Sequence, residues 1–163
     1  MRRRVMMILA VPGARALAAA TAALLLVAPL ALAQAPGGQA GYVPHLADIM
    51  GATQLRHVKL SFAGKQRNWP LAAYELGQIK ASFEDVGTLY PGIPIADMSN
   101  MADPVRLLGE AIAARDGTKF DRAFVALTQA CNACHQAIDR GFIVVQVPTS
   151  SPFSNQVFAP ASK

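Results

Sequence analysis

At 163 residues, with 53% hydrophobic content and a formal charge of +5, the chain has the size of a single domain able to bury a genuine core. The positive balance is local: four of the fifteen Lys and Arg, namely Arg2, Arg3, Arg4 and Arg15, precede every one of the ten Asp and Glu. Beyond residue 33 eleven bases face ten acids, and a residual charge of +1 leaves no electrostatic footprint for nucleic acid, which excludes that class of partner.

The arginines open an export signal. An apolar run follows from Ala16 to Leu30, and Ala31-Leu32-Ala33 supplies small residues for cleavage before Gln34. Residues 1–33 are therefore expected to be a signal peptide, cleaved near Ala33, that sends the chain to the periplasm. The run is too short, and too clearly followed by a cleavage site, for a retained anchor, so no membrane span is expected in the mature chain. An uncleaved anchor is the alternative. Val5-Met6-Met7 after the arginines makes a weak twin-arginine signal and favours export of the unfolded chain.

Residues 34–43, rich in Gly, Ala and Gln, read as a flexible leader. A first helix is expected from near Pro44, with Leu46, Met50, Thr53, His57 and Leu60 on one stripe and Leu55, Val58 and Phe62 widening its buried face. Gly64 and the polar Lys65-Gln66-Arg67 end it. Asn68 can cap a second helix with Pro70 in its first turn. Ala72, Leu76, Ile79, Phe83, Val86 and Tyr90 follow a four-three alternation there, the seam of a helix packed almost antiparallel to its neighbours. Pro91-Gly92 stops it, and residues 91–103 form the longest internal connection. A third helix starts at Asp103-Pro104, with Met101, Val105, Leu108 and Ile112 on its apolar face, and closes at Asp116-Gly117. Thr118 with Asp121 three residues on reads as a capping box for a fourth helix.

That fourth helix carries Phe120, Phe124, Leu127, Cys131, Cys134 and Ile138 on one stripe, and within it stands Cys131-Asn132-Ala133-Cys134-His135. C-x-x-C-H presents two thiols and an imidazole at the spacing of covalent haem attachment. Cys131 and Cys134 can form thioethers with the haem vinyl groups, and His135 can bind the iron from one side as a proximal ligand. A zinc site is the main rival, but structural zinc takes four ligands from two separated pairs, and the chain has two Cys and three His in all. A thioredoxin-like dithiol follows a strand in a βαβ setting, whereas helical spacing precedes Cys131. Both thiols being claimed by one haem c, no disulfide is expected despite the oxidising compartment.

The motif lies near the C-terminus of the chain, and all six Met precede it. In this the chain resembles the class II cytochromes c, the cytochrome c′ family. Lys119-Phe120, Ala123-Phe124, Ala130 through His135, and Arg140 are similar to that family's haem helix, and Gln78-Ile79-Lys80-Ala81 to its second helix. The likeness spans residues 44–140, strongest in the last third and loosest in the first helix. It implies an all-α fold, an antiparallel four-helix bundle with c-type haem on the fourth helix, and a sixth coordination position on the first helix. An apolar residue there leaves five-coordinate iron that binds small gases, whereas a Met there suits electron transfer. The start of the first helix should lie beside the end of the fourth, which brings that position near Met50. His57 on the same stripe is the alternative distal ligand, and each residue also has an ordinary reading, Met50 as core filler and His57 as a hydrogen-bonded helix residue. Arg56 could approach a haem propionate or stand as a solvated helix residue.

Residues 141–163 form a C-terminal extension whose Phe142-Ile143-Val144-Val145 is apolar and whose remainder is rich in Pro, Ser and Asn. It could be a strap over the haem edge, a docking segment or a poorly ordered tail. No paired carboxylates and no nucleophile with its base are present, so no turnover of an organic substrate is expected. The expected function is a periplasmic monohaem electron carrier with protein redox partners. The alternative is a five-coordinate protein that binds nitric oxide or carbon monoxide. Homodimers are common among such bundles.

Overall fold

The computed structural model describes residues 42–93 and 100–161. The expected signal peptide and all of the expected leader but its last two residues lie outside them. The described residues hold four helices and no strand: α1 (Leu46–Lys65), α2 (Trp69–Leu89), α3 (Ala102–Ala113) and α4 (Gly117–Ala137). Among these residues no helix is long and apolar enough to cross a membrane.

Two tight turns organise the helices into hairpins, and both use one device. At the end of α1, Arg67 takes a left-handed φ of 58°, and Asn68 N–H returns to the Ala63 carbonyl at 2.9 Å. The Asn68 side chain then accepts from Leu71 N–H at 3.3 Å, with Pro70 in the first turn of α2. At the end of α3, Arg115 takes φ 54°, Asp116 N–H returns to the Ala111 carbonyl at 2.9 Å, and the Asp116 side chain accepts from Lys119 N–H at 3.0 Å. In both turns the capping residue follows directly on the left-handed one, so three residues suffice to reverse the chain.

This corrects two expectations. Asp116 rather than Thr118 caps α4, because the helix already begins at Gly117, and a hydroxyl within the first turn stands past the capping position. The Lys119 amide that Asp116 binds holds its carboxyl below the ordinary value. The glycines are not helix terminators either. Gly117 is the first residue of α4, where a β-carbon would collide with the Arg67 guanidinium. Gly64 sits in the last turn of α1, where a β-carbon would collide with the Phe120 ring.

α1 packs on α2 and α4, and α3 packs on the same two helices, which closes a four-sided arrangement. α1 and α4 run antiparallel, since Gly64 lies against Phe120 at one level and His57 meets Thr128 at the next. Leu60, Leu76, Ile79, Leu108, Phe120 and Leu127 form the heart of the core, each almost wholly buried. Trp69 closes one end by standing edge-on to Phe120 at 6.0 Å. Leu55 does not belong to this face: it is 53% exposed, because two residues beyond Thr53 is about 200° around a helix.

Arg56 is engaged elsewhere than at a haem or in solvent. Its guanidinium donates to Glu75 of α2 at 3.1 Å, and Glu75 is buried to 1% exposure. A buried carboxylate requires such a partner.

Beyond α4 the extension turns back rather than trailing away. Val147 packs on the core, Lys65 at the end of α1 donates to the Pro148 carbonyl at 2.6 Å, and Phe158 is buried against Phe62 at 5.7 Å. Asn68 donates to the Phe158 carbonyl at 3.1 Å. The extension thus runs from the end of α4 to the turn between α1 and α2.

The approach of α1 to α4 at Gly64 leads to a paired stability prediction. Gly64→Ala should lower the unfolding free energy by about 1–3 kcal/mol, because the buried Phe120 ring cannot move aside freely. Gly77→Ala on α2, where an added methyl meets nothing within 4 Å, should instead raise it by up to about 1 kcal/mol. Urea unfolding of the two variants checks both signs.

Candidate haem site

The His57–Thr128 contact fixes how α1 and α4 line up. Seven residues before His57 on α1 is Met50, and seven residues after Thr128 on α4 is His135. In antiparallel helices with equal rise these two stand level, each about 10 Å along its axis from the buried pair. The same end of α4 presents Cys131 and Cys134, three residues apart and hence on one face.

Between the helices at this end lies a cavity of about 450 Å³, within the range of small-molecule and cofactor sites. Cys131, Cys134, His135, Met50 and His57 all line it, so every residue singled out in the sequence as a haem or iron ligand meets at one site. The remaining walls are mainly apolar. Phe83 and Val86 come from α2, Met101 from the residue before α3, and Ile138 from just past α4. Arg140 also reaches the wall and, among the described residues, is its one basic residue apart from the histidines.

The two histidines have opposite tautomers, each set by its hydrogen bond. His135 Nδ1 lies 2.8 Å from the Ile143 carbonyl. A carbonyl only accepts, so Nδ1 carries the proton and Nε2 keeps its lone pair for a ligand. Behind the cavity-lining His57, Thr128 donates its hydroxyl proton to the Phe124 carbonyl at 2.9 Å. The same oxygen therefore accepts from His57 Nε2–H at 2.8 Å. This leaves His57 Nδ1 as a buried acceptor with no protein partner among the described residues. Its ring lies 4.5 Å from that of Phe124, and burial lowers the His57 pKa to about 4. The imidazole is neutral at pH 7.

Burial also pushes the Cys131 thiol up to about 11, with the neighbouring Cys134 adding to the effect. A thiol held in its neutral form is the reverse of a redox-active dithiol, whose attacking sulfur has a lowered pKa. Among the described residues no group of three or more His, Cys, Asp or Glu converges to hold a bare metal ion. The donors present fit haem instead. Two thiols on one helical face can anchor a porphyrin edge, one imidazole with a preset lone pair can take one side of the iron, and a thioether stands level with it.

The extension, for which a strap was one of three readings of the sequence, supplies a further wall. Ile143 and Val145 line the cavity, Ile143 with 44% of its surface still exposed, while Phe142 and Val144 are exposed to 79% and 73%, the two-residue alternation of an extended segment. Asn132, between the two Cys, grips this segment twice: Nδ2 donates to the Val145 carbonyl and Oδ1 accepts from Val145 N–H, both at 2.8 Å. The signals were an amide side chain inside the motif and an apolar run that begins seven residues after it. Thr128 had a fainter signal, a hydroxyl seven residues before His135.

Comparison with protein-family models, with curated proteins and with solved structures returns no match.

His57 makes the fold sensitive to acid. Its folded pKa lies below the unfolded value of about 6.5, so the unfolded chain binds the proton first, and stability falls as pH drops from 6.5 through 4. The loss should reach about 3 kcal/mol by pH 4. Denaturant unfolding at pH 7 and pH 4 should show this extra loss in the parent protein and not in His57→Gln.

Proposed function

We propose that the protein is a periplasmic monohaem c-type cytochrome of the class II kind that carries one electron between protein partners. Cys131 and Cys134 hold the haem from α4 through thioethers, and His135 is the proximal ligand. The observation that carries this reading is the meeting of both thiols, His135 and Met50 on one apolar cavity. Haem bound there would supply a one-electron iron couple in a mainly apolar site.

The chain's own part is to orient and insulate. His135 offers Nε2 because Nδ1 is committed to Ile143. The thioether of Met50 is the distal ligand that the register of α1 and α4 favours, a soft donor that stabilises ferrous iron. His57 is the weaker distal candidate: it stands one heptad away, and its Nε2 is spent on Thr128. Being neutral, it adds no charge beneath the site. Electron transfer of this kind requires no proton donor or acceptor from the cavity wall.

Absorption spectra of the ferric and ferrous protein, with and without carbon monoxide, test the reading. Low-spin spectra indifferent to carbon monoxide are expected, and Met50→Ala should convert them to a high-spin form that binds the gas. Binding of carbon monoxide by the parent protein would replace the electron carrier with a gas-binding function. A low-spin spectrum that survives in Met50→Ala would move the distal ligand to His57.

A further inference from the structure

We infer that the extension is a strap that sets the electronic character of the proximal imidazole, with Asn132 as the positioning residue that holds it in place. The inference rests on the haem reading above and adds to it a tuning element on the proximal side.

Every part is supplied by residues 132–147. The strap contributes one group that reaches the ligand, the Ile143 carbonyl, which accepts from His135 Nδ1–H at 2.8 Å. A carbonyl in the main chain is only as well placed as its segment, and that segment belongs to no helix or strand. Two features anchor it. Two residues on, Val145 is gripped by the two hydrogen bonds from Asn132, in which one side-chain amide satisfies both the N–H and the C=O of one backbone unit. Four residues on, Val147 is packed into the core. Asn132 is itself rigidly placed, because it stands in α4 between the two cysteines that would be bonded to the porphyrin. The position of Ile143 relative to His135 is therefore tied to the haem attachment itself.

A histidine that ligates a metal and donates its other N–H to an acceptor is a stronger donor toward the metal, and partners of this kind tune the site. A stronger σ-donor favours ferric over ferrous iron. With the strap in place the reduction potential is therefore lower than with the strap released. This would oppose the thioether of Met50, which would raise it, so the potential would be set jointly by residues of α1 and of the extension.

The test uses the purified haem-loaded protein, with Asn132→Leu to remove both hydrogen bonds and Val145→Pro to remove only the donor to Asn132. The pyridine haemochrome spectrum is read first, and absence of thioether-bound haem overturns this inference together with the proposed function. In the ferrous low-spin parent protein, NMR should show the His135 Nδ1 proton protected from exchange, and in both variants that protection should fall. Redox titration should show a higher potential in both variants, a shift of up to about tenfold in the reduced-to-oxidised ratio, or about 59 mV for one electron. A strap that merely covers the site would, when released, admit water and leave the potential unchanged or lower it, and either result overturns the inference. An unprotected His135 proton in the parent, or an unchanged potential in whichever variants load haem, overturns the inference while leaving the haem reading intact.

Discussion

The hydrogen bond between His57 and Thr128 is the constraint on which the site depends. It is buried, it joins the first helix to the last across seventy-one residues of sequence, and it admits only one register. Sliding α1 by one residue would break it and leave the buried His57 without a partner, at a cost of about 1–3 kcal/mol, while Thr128 would keep only its bond to the Phe124 carbonyl. With the register held, Met50 and His135 stand level and the cavity opens between them. His57 also closes the floor, and its unpartnered Nδ1 is the one polar atom there for which the described protein provides nothing.

From that pair the structure divides into a packed half and an open half. Toward the turns at Arg67 and Arg115, Leu60, Phe120 and Leu127 fill the interior, and Gly64 brings α1 close against α4. Toward the other end the helices leave space, and the wall is completed by Ile143 and Val145 of the extension. The extension then continues to Phe158 beside the turn between α1 and α2. A segment that makes contacts at both ends of the bundle couples the open half to the packed one.

Much of this could be read from residue spacing. The stripes through α2 and α4 foretold the buried Leu76, Ile79, Phe120, Phe124 and Leu127, because helical period and burial are the same signal. C-x-x-C-H singled out three side chains, and the structure brings them to one cavity with Met50 and His57. What the spacing missed depends on contacts between distant residues. Leu55 counted as buried on hydropathy alone. No spacing marks Glu75 as buried; its partner Arg56 faces it from nineteen residues away. Thr118 offered a plausible cap, but Asp116 was better placed because the helix begins two residues earlier than the motif supposes. Gly64 and Gly117 read as breakers, whereas their lack of a side chain serves close packing. The hold of Asn132 on Val145 involves a backbone unit, which no side-chain pattern reveals.

The central proposal is that Cys131 and Cys134 carry haem covalently, and the intact mass of the protein measured under denaturing conditions tests it most directly. The account predicts that the protein, produced in a host able to attach haem c, has the mass of the processed chain plus one haem, and that this haem survives unfolding and extraction with acidified organic solvent. The mass of the polypeptide alone, from a host that matures other c-type cytochromes in the same culture, would contradict it.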